Sequence, residues 1–374
     1  MTYKEALQFV SKCLTLGICP ERKPEIVDHI RAGKVTWEQI VAVSSGQFVL
    51  PALFVRFQNV DILNELPPDL VEYMEYLTQI NRERNIQLLN QLNDINQLMA
   101  SNGIEAVFLK GSAHLLTSLY DDIAERMVGD IDFLVPEADY FKALELLLNT
   151  GYKPIVEVNN EMAKTLKHYP RLTNYNYPAA VEVHRQVIAP PYHRYFDAGL
   201  MLAAKQKLNL QQTFYIPSVS HLIIHNALNV QINDKSYKNT SINLRQLYDL
   251  LLLSKQANPQ TVLSDFGKLP KHTNAYLATA SLFFNVTALI QYNPTTDTKR
   301  FLKRFNFFID HPGRIYTAYK TSLYLIERLS RYVVLPFQSF YKKDVRIGLW
   351  YRLSNPKWYR SHFFSYWDYF FPKR

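Results

Sequence analysis

Residues 107–135 read VFLKGSAHLLTSLYDDIAERMVGDIDFLV. An apolar run ends in Lys110-Gly111-Ser112, a helix-like segment follows, and a second apolar run carries Asp130 and Asp132. Residues two apart on a strand share a face. Ile131 and Phe133 therefore belong to the core and both aspartates to the opposite face. Neighbouring carboxylates repel, and burying them without a cation is costly. A divalent metal bound to phosphate removes that cost, because Mg²⁺ takes one or two carboxylates together with phosphate oxygens. A Gly-Ser turn ahead of a helix offers phosphate its backbone N–H groups and a hydroxyl. A lone D-x-D is commonly a pair of loop or cap carboxylates. The strand, turn and helix ahead of it shift the reading toward metal-assisted phosphoryl or nucleotidyl transfer.

A further carboxylate lies downstream in Ala180-Val181-Glu182-Val183-His184. The same alternation sends Val181 and Val183 inward and leaves Glu182 and His184 on the other face. Three carboxylates from two strands can hold two metal ions about 4 Å apart.

Working outward, residues 104–192 read as a catalytic core of strands and helices. Strands are expected at 104–109, 130–135, 152–158 and 181–187, with helices at 112–119 and 138–148. Pro136 stops the second strand and Pro190-Pro191 closes the unit. Residues 1–103 read as helical. Ala6, Phe9, Val10 and Cys13 have helical spacing, and Thr36 to Gln39 resembles a helix start. A long stripe of Leu70, Met74, Leu77, Ile80, Ile86, Leu89, Leu92 and Ile95 runs to a stop at Asn102-Gly103. Residues 193–335 read as a helical domain completing the cleft, with helices at 198–208, 218–231, 244–254 and 273–284. The expected class is α+β: a small mixed sheet with N-terminal and C-terminal helical flanks.

The order of these motifs resembles the uncharacterised nucleotidyltransferase family of the DNA polymerase β superfamily. The resemblance rests on K-G-S at 110–112, R-M-V-G-D-I-D-F-L-V at 126–135 and V-E-V-H at 181–184. His168-Tyr169-Pro170, Pro217-Ser218 ahead of His221 and His225, and the run 244–250 fit less specifically. It covers about residues 70 to 290. What it implies is a nucleotidyltransferase fold in which Gly111 and Ser112 contact the triphosphate of an NTP such as ATP. Asp130, Asp132 and Glu182 would hold Mg²⁺, with Mn²⁺ as an alternative. They would align an acceptor hydroxyl, Glu182 taking its proton. The third position is Glu here, where Asp is more usual in the superfamily, and its longer arm still binds Mg²⁺.

Other residues carry two readings each. Lys110 and Arg126 either contact phosphate or balance nearby acids. His184 either serves the nucleotide site, by donating to the acceptor or orienting its carboxylate neighbour, or is a hydrogen-bonded strand histidine. His168 and Arg171 either line the cleft or belong to a loop. Arg245 and Asp249, four apart on a helix, read as an intrahelical pair. His221 and His225 share a helix face, but no glutamate lies between them and zinc is not expected.

The chain has 374 residues and a net charge of +9, with 25 Tyr and 22 Phe. A basic balance favours acidic partners: nucleoside triphosphates, nucleic acid or an anionic membrane surface. Cys13 and Cys19 make no zinc spacing or disulfide framework. With no signal-like start and no long apolar run, a cytoplasmic location is expected. Residues 336–374 form a basic aromatic tail. It suits docking on the helical domain, contact with a membrane surface, or base stacking. Readings in other classes are a non-catalytic nucleotide-binding scaffold and an RNA-binding module. The acceptor stays open among protein, RNA and small molecules.

Overall fold

A computed structural model describes residues 1–356, 358 and 360. Seven strands form one mixed sheet. They are β1 (Val107–Phe108), β2 (Asp130–Leu134), β3 (Lys153–Pro154), β4 (Leu172–Thr173), β5 (Ala180–His184), β6 (Lys205–Asn209) and β7 (Thr213–Pro217). Their order is β3-β4-β5-β2-β1-β7-β6. β2 runs antiparallel to β1 and parallel to β5. The alternation expected from sequence holds, with Ile131, Phe133, Val181 and Val183 buried. Phe108 packs beside Phe133 and Phe214, at 5.9 and 5.6 Å between ring centres. The α+β class expected from the sequence is the class found.

Several local expectations shift. The strand expected at 104–109 is β1 alone, and the one expected at 181–187 is β5, which ends at His184. The helix after β1 spans Lys110–Leu116, beginning at the lysine itself. The strand expected at 152–158 shortens to β3. The helix expected at 198–208 ends at Ala203, and β6 and β7 follow as a hairpin. Tertiary pairing overrides the local pattern there: β7 lies parallel to β1 and supplies its second edge.

The long helix Pro68–Ser101 shows why an apolar stripe can mislead. Leu70, Met74, Leu92 and Ile95 are buried as expected, but Ile80 and Ile86 are 43% and 49% exposed. Asn81, Asn85 and Gln91 point inward instead. Asn81 donates to the carbonyls of Ala124 and Arg126, and Asn85 to those of Ile123 and Arg126. Gln91 donates to the Tyr152 hydroxyl and the Ala179 carbonyl. Buried carbonyls outside a ladder need donors. Amides supply them, and so anchor the irregular backbone leading into β2. Arg84 adds bonds to the carbonyls of Val128, Gly129 and Pro178.

The first helix, Tyr3–Leu14, starts on a capping box of Thr2 and Glu5. Thr36 precedes the helix Trp37–Gly46 without a side-chain cap bond. Beyond β7, the helix Val219–Leu228 widens into a π turn at Asn229–Asn233. The helices Leu244–Leu253, Pro259–Phe266, Pro270–Phe284 and Thr296–Asp310 follow. Arg314–Ser339 runs through position 336, where the tail was expected to begin, and Lys343–Leu353 comes after it. Residues 357, 359 and 361–374 of the tail lie outside the described residues. Among those described, no helix is long and apolar enough to cross a membrane.

Candidate active site

β2 and β5 pair in a register that sets Asp132 opposite Glu182 and Asp130 opposite Ala180. Asp132, Glu182 and His184 are buried, while Asp130 is half-buried at the strand entrance. The ligand atoms of Asp132, Glu182 and His184 all lie within 4.8 Å of one another. His184 Nε2 is 2.8 Å from Asp132 Oδ1 and 3.5 Å from Glu182 Oε2. Its Nδ1 faces the Gln186 carbonyl at 3.2 Å.

Two cationic side chains already answer the carboxylates. Lys110 Nζ donates to Asp132 Oδ1 at 2.6 Å. Its backbone turns from β1 into the helix at a left-handed φ of 49°, a conformation that costs a lysine about 1 kcal/mol or more. Arg171 bridges the other two acids, at 2.8 Å from Asp130 Oδ2 and 3.0 Å from Glu182 Oε1. His168 Nε2 adds a contact to Glu182 Oε2 at 3.5 Å.

The charges follow from these contacts. Burial opposes ionisation of Asp132, but Lys110 and His184 outweigh it and hold the carboxyl well below the usual range. Glu182 is likewise buried, and its hydrogen bond to His184 helps bring it down to about 2. Burial pushes Asp130 up against the pull of Arg171. It lowers His168 to about 4 and Lys167 to about 8.

The carboxylates of Asp130 and Asp132 open on a polar cleft, whose lining does not include Glu182. Asp130 and Asp132 lie on one side, and Asn226, Asn229, Asn243 and Gln246 on the helical side. The family described as uncharacterised nucleotidyltransferase matches residues 33–288. The chain belongs to the uncharacterised nucleotidyltransferase family. No curated protein and no solved structure matches it. As a member of that family it is a transferase enzyme, and the cleft carries its candidate acidic metal site. The match starts well before the motifs that first carried the resemblance, and takes in the helices Trp37–Gly46 and Leu50–Asn59.

The residues of this nucleotidyltransferase fit a divalent cation. Hard carboxylate oxygens converge, and the cations now holding them sit on long, movable arms, Arg171 being about half exposed. Ser112, expected at the triphosphate, is fully buried with an unpartnered hydroxyl, and it is not among the residues that line the cleft. Gly111 lines the cleft, and a Cβ there would stand 3.1 Å from both Val128 methyls. A side chain there would press on Val128, which would have to give by a few tenths of an ångström.

Arg126 lines the cleft but is committed elsewhere. Its Nε and Nη2 each lie 2.8 Å from Asp249, forming a two-pronged pair. Tyr120 donates to the same carboxylate, and all three groups are buried. Arg245 does not pair with Asp249 as its spacing had implied. It donates to the Met127 carbonyl at 2.7 Å and lies over the Phe48 ring. His225 is buried at the cleft wall, and His221 hydrogen-bonds Ser218.

Sequence reading missed the amide-rich wall formed by Asn226, Asn229, Asn243 and Gln246. A signal existed for part of it. Asn226, Asn229 and Asn233 recur at three- and four-residue steps in a largely apolar stretch. That pattern marks a polar stripe facing something other than core.

Proposed function

We propose that this enzyme moves an NMP from a nucleoside triphosphate to a hydroxyl acceptor and releases pyrophosphate. Asp130, Asp132 and Glu182 would hold Mg²⁺ or Mn²⁺. The observation that carries the reading is the β2–β5 register, which sets Asp132 across from Glu182 with Asp130 beside them at the cleft. When bound, the cation supplies charge neutralisation at the α-phosphate and eases ionisation of the acceptor hydroxyl.

The chain's own groups do the rest. His184 keeps its hydrogen bonds to Asp132 and Glu182 and fixes their orientation. Lys110, released from Asp132, turns to phosphate oxygens as a point charge. The Ser112 hydroxyl and the Gly111 backbone meet the triphosphate. The acceptor oxygen attacks the α-phosphorus in line, the bond to the pyrophosphate oxygen breaks, and the hydroxyl proton passes to a cleft carboxylate. In this reading residues 104–192 carry the chemistry, and 193–335 complete the cleft around donor and acceptor.

The test is release of pyrophosphate from each of the four NTPs, with Mg²⁺ or Mn²⁺ and pools of candidate acceptors. Wild type turns over with one donor, and Asp130→Asn and Asp132→Asn do not. Undiminished turnover in both variants, with the fold intact by circular dichroism, would refute the assignment.

A further inference from the structure

The charge of +9 is not spread over the molecule. Residues 314–374 hold 12 Lys and Arg against 3 Asp and Glu, while residues 1–313 hold 30 of each. The whole excess therefore belongs to the C-terminal arm. Its described part is the helices Arg314–Ser339 and Lys343–Leu353.

No residue of Arg314–Ser339 is buried. The helix is tied to the body along one side. The Tyr319 hydroxyl donates to the Lys238 carbonyl at 2.7 Å, and its ring stacks on Phe308 at 4.1 Å. Glu327 pairs with Lys235 at 2.7 Å and with Lys238 at 3.5 Å. Ile315, Ile326, Leu329, Val333, Phe337 and Phe340 are 51–82% exposed. From Ile326 onward they step by three or four residues and make one apolar stripe along the last four turns of the helix, about 21 Å. Three turns earlier, near Ile315, the same line carries Tyr319, which docks on the body. Arg314, Lys320 and Arg331 fall on the rest of the circumference.

We propose that this arm is a membrane-surface element that takes an anionic lipid bilayer, lying in the interface without crossing it. An apolar stripe joined to a cluster of basic residues is the two-part signal that stable peripheral binding requires. The aliphatic members of the stripe argue against single-stranded nucleic acid, which uses flat aromatic faces. A second copy of the chain would bring one basic arm against another, like charge on like. Lys343–Leu353 packs against the short helix Asn160–Ala163, which precedes His168 and Arg171. The lipid surface therefore lies on the side of the molecule that carries this loop. The proposal stands whether or not the transfer chemistry above is correct.

The test is flotation of the full chain with vesicles of neutral phosphatidylcholine, or of the same lipid with about 30 mol % phosphatidylserine. Wild type floats with the anionic vesicles only, and raised salt returns it to the bottom. Leu329→Glu/Phe337→Glu, at exposed positions, falls about tenfold or more in recovered protein. Lys342→Glu/Arg346→Glu loses recovery through charge alone and stands in if the first variant misfolds. Wild type that stays down with anionic vesicles, or both variants floating undiminished, overturns the proposal. So does a wild-type dimer by light scattering that Leu329→Glu/Phe337→Glu dissociates, which would make the stripe a contact between copies. RNA retained by the arm in the absence of any lipid binding also overturns it.

Discussion

Lys110 Nζ and His184 Nε2 converge on one oxygen, Asp132 Oδ1, at 2.6 and 2.8 Å. A divalent cation and Lys110 are therefore alternatives on this atom. Lys110→Met removes one competitor. The metal-free protein should lose about 2 kcal/mol, since a hydrogen bond to a charged group is worth about that much. The stabilisation given by Mn²⁺ should rise above that of wild type. Urea unfolding with and without the cation reads both, and an unchanged cation response would show that Lys110 does not guard the site.

His184 holds both acidic side chains and is fully enclosed. Its replacement by alanine leaves them without their shared donor. Groups that orient metal ligands typically contribute 10–100-fold in metal affinity, so Mn²⁺ binding by electron paramagnetic resonance should weaken by about that factor.

Ser112 separates a ligand contact from a structural one. Its hydroxyl has no partner in the protein. Ser112→Ala should leave thermal stability unchanged or raise it by up to about 1 kcal/mol. The same variant should show a smaller thermal shift with NTP. A marked fall in Tm without NTP would instead make the hydroxyl part of the core.

Arg126 and Asp249 join the segment before β2 to the helix Leu244–Leu253. Removing one partner of a buried pair strands the other, at a cost of about 3–5 kcal/mol. Arg126→Met should lose about that much in urea unfolding. The double variant Arg126→Met/Asp249→Leu should recover much of it, and a double variant no better than the single would count against the pair.

Acid should loosen the C-terminal helix. Burial opposes the charge of Glu327, yet Lys235 and Arg331 overcome this and draw it down to about 2, from 4.5. A folded-state value below the unfolded one gives stability that is present above about pH 4.5 and lost as pH falls toward 2. Wild type should melt above Glu327→Gln at pH 6, and the gap should narrow below about pH 4.5 and close only near pH 2. A constant gap would mean that the pair does not hold the helix.

The sequence made β2, β5 and their acids legible because strand alternation separates core from site within five residues. Glu182 could be assigned from Val181 and Val183 alone. The family resemblance added roles that spacing does not carry. What stayed hidden depends on partners far along the chain. Asn81 and Asn85 read as breaks in an apolar stripe until the carbonyls of Ile123, Ala124 and Arg126 appear opposite them. Arg245 seemed the natural partner of Asp249, but Arg126, from 123 residues away, has it. The β6–β7 hairpin was masked by helical leucine spacing, and the π turn at Asn229–Asn233 has no local signature.

The pairing of β2 with β5 also bears on how the enzyme comes into being. Side chains alternate with a period of two, so a slip of one residue would set Asp132 against Val181 or Val183. The same slip would turn Glu182 and His184 into the core and its valines into the cleft. Packing and chemistry are thus selected by a single pairing decision. A one-residue slip therefore cannot leave a sound core beside a scrambled site, and protection of the β2 and β5 amides in hydrogen exchange would date the birth of both together.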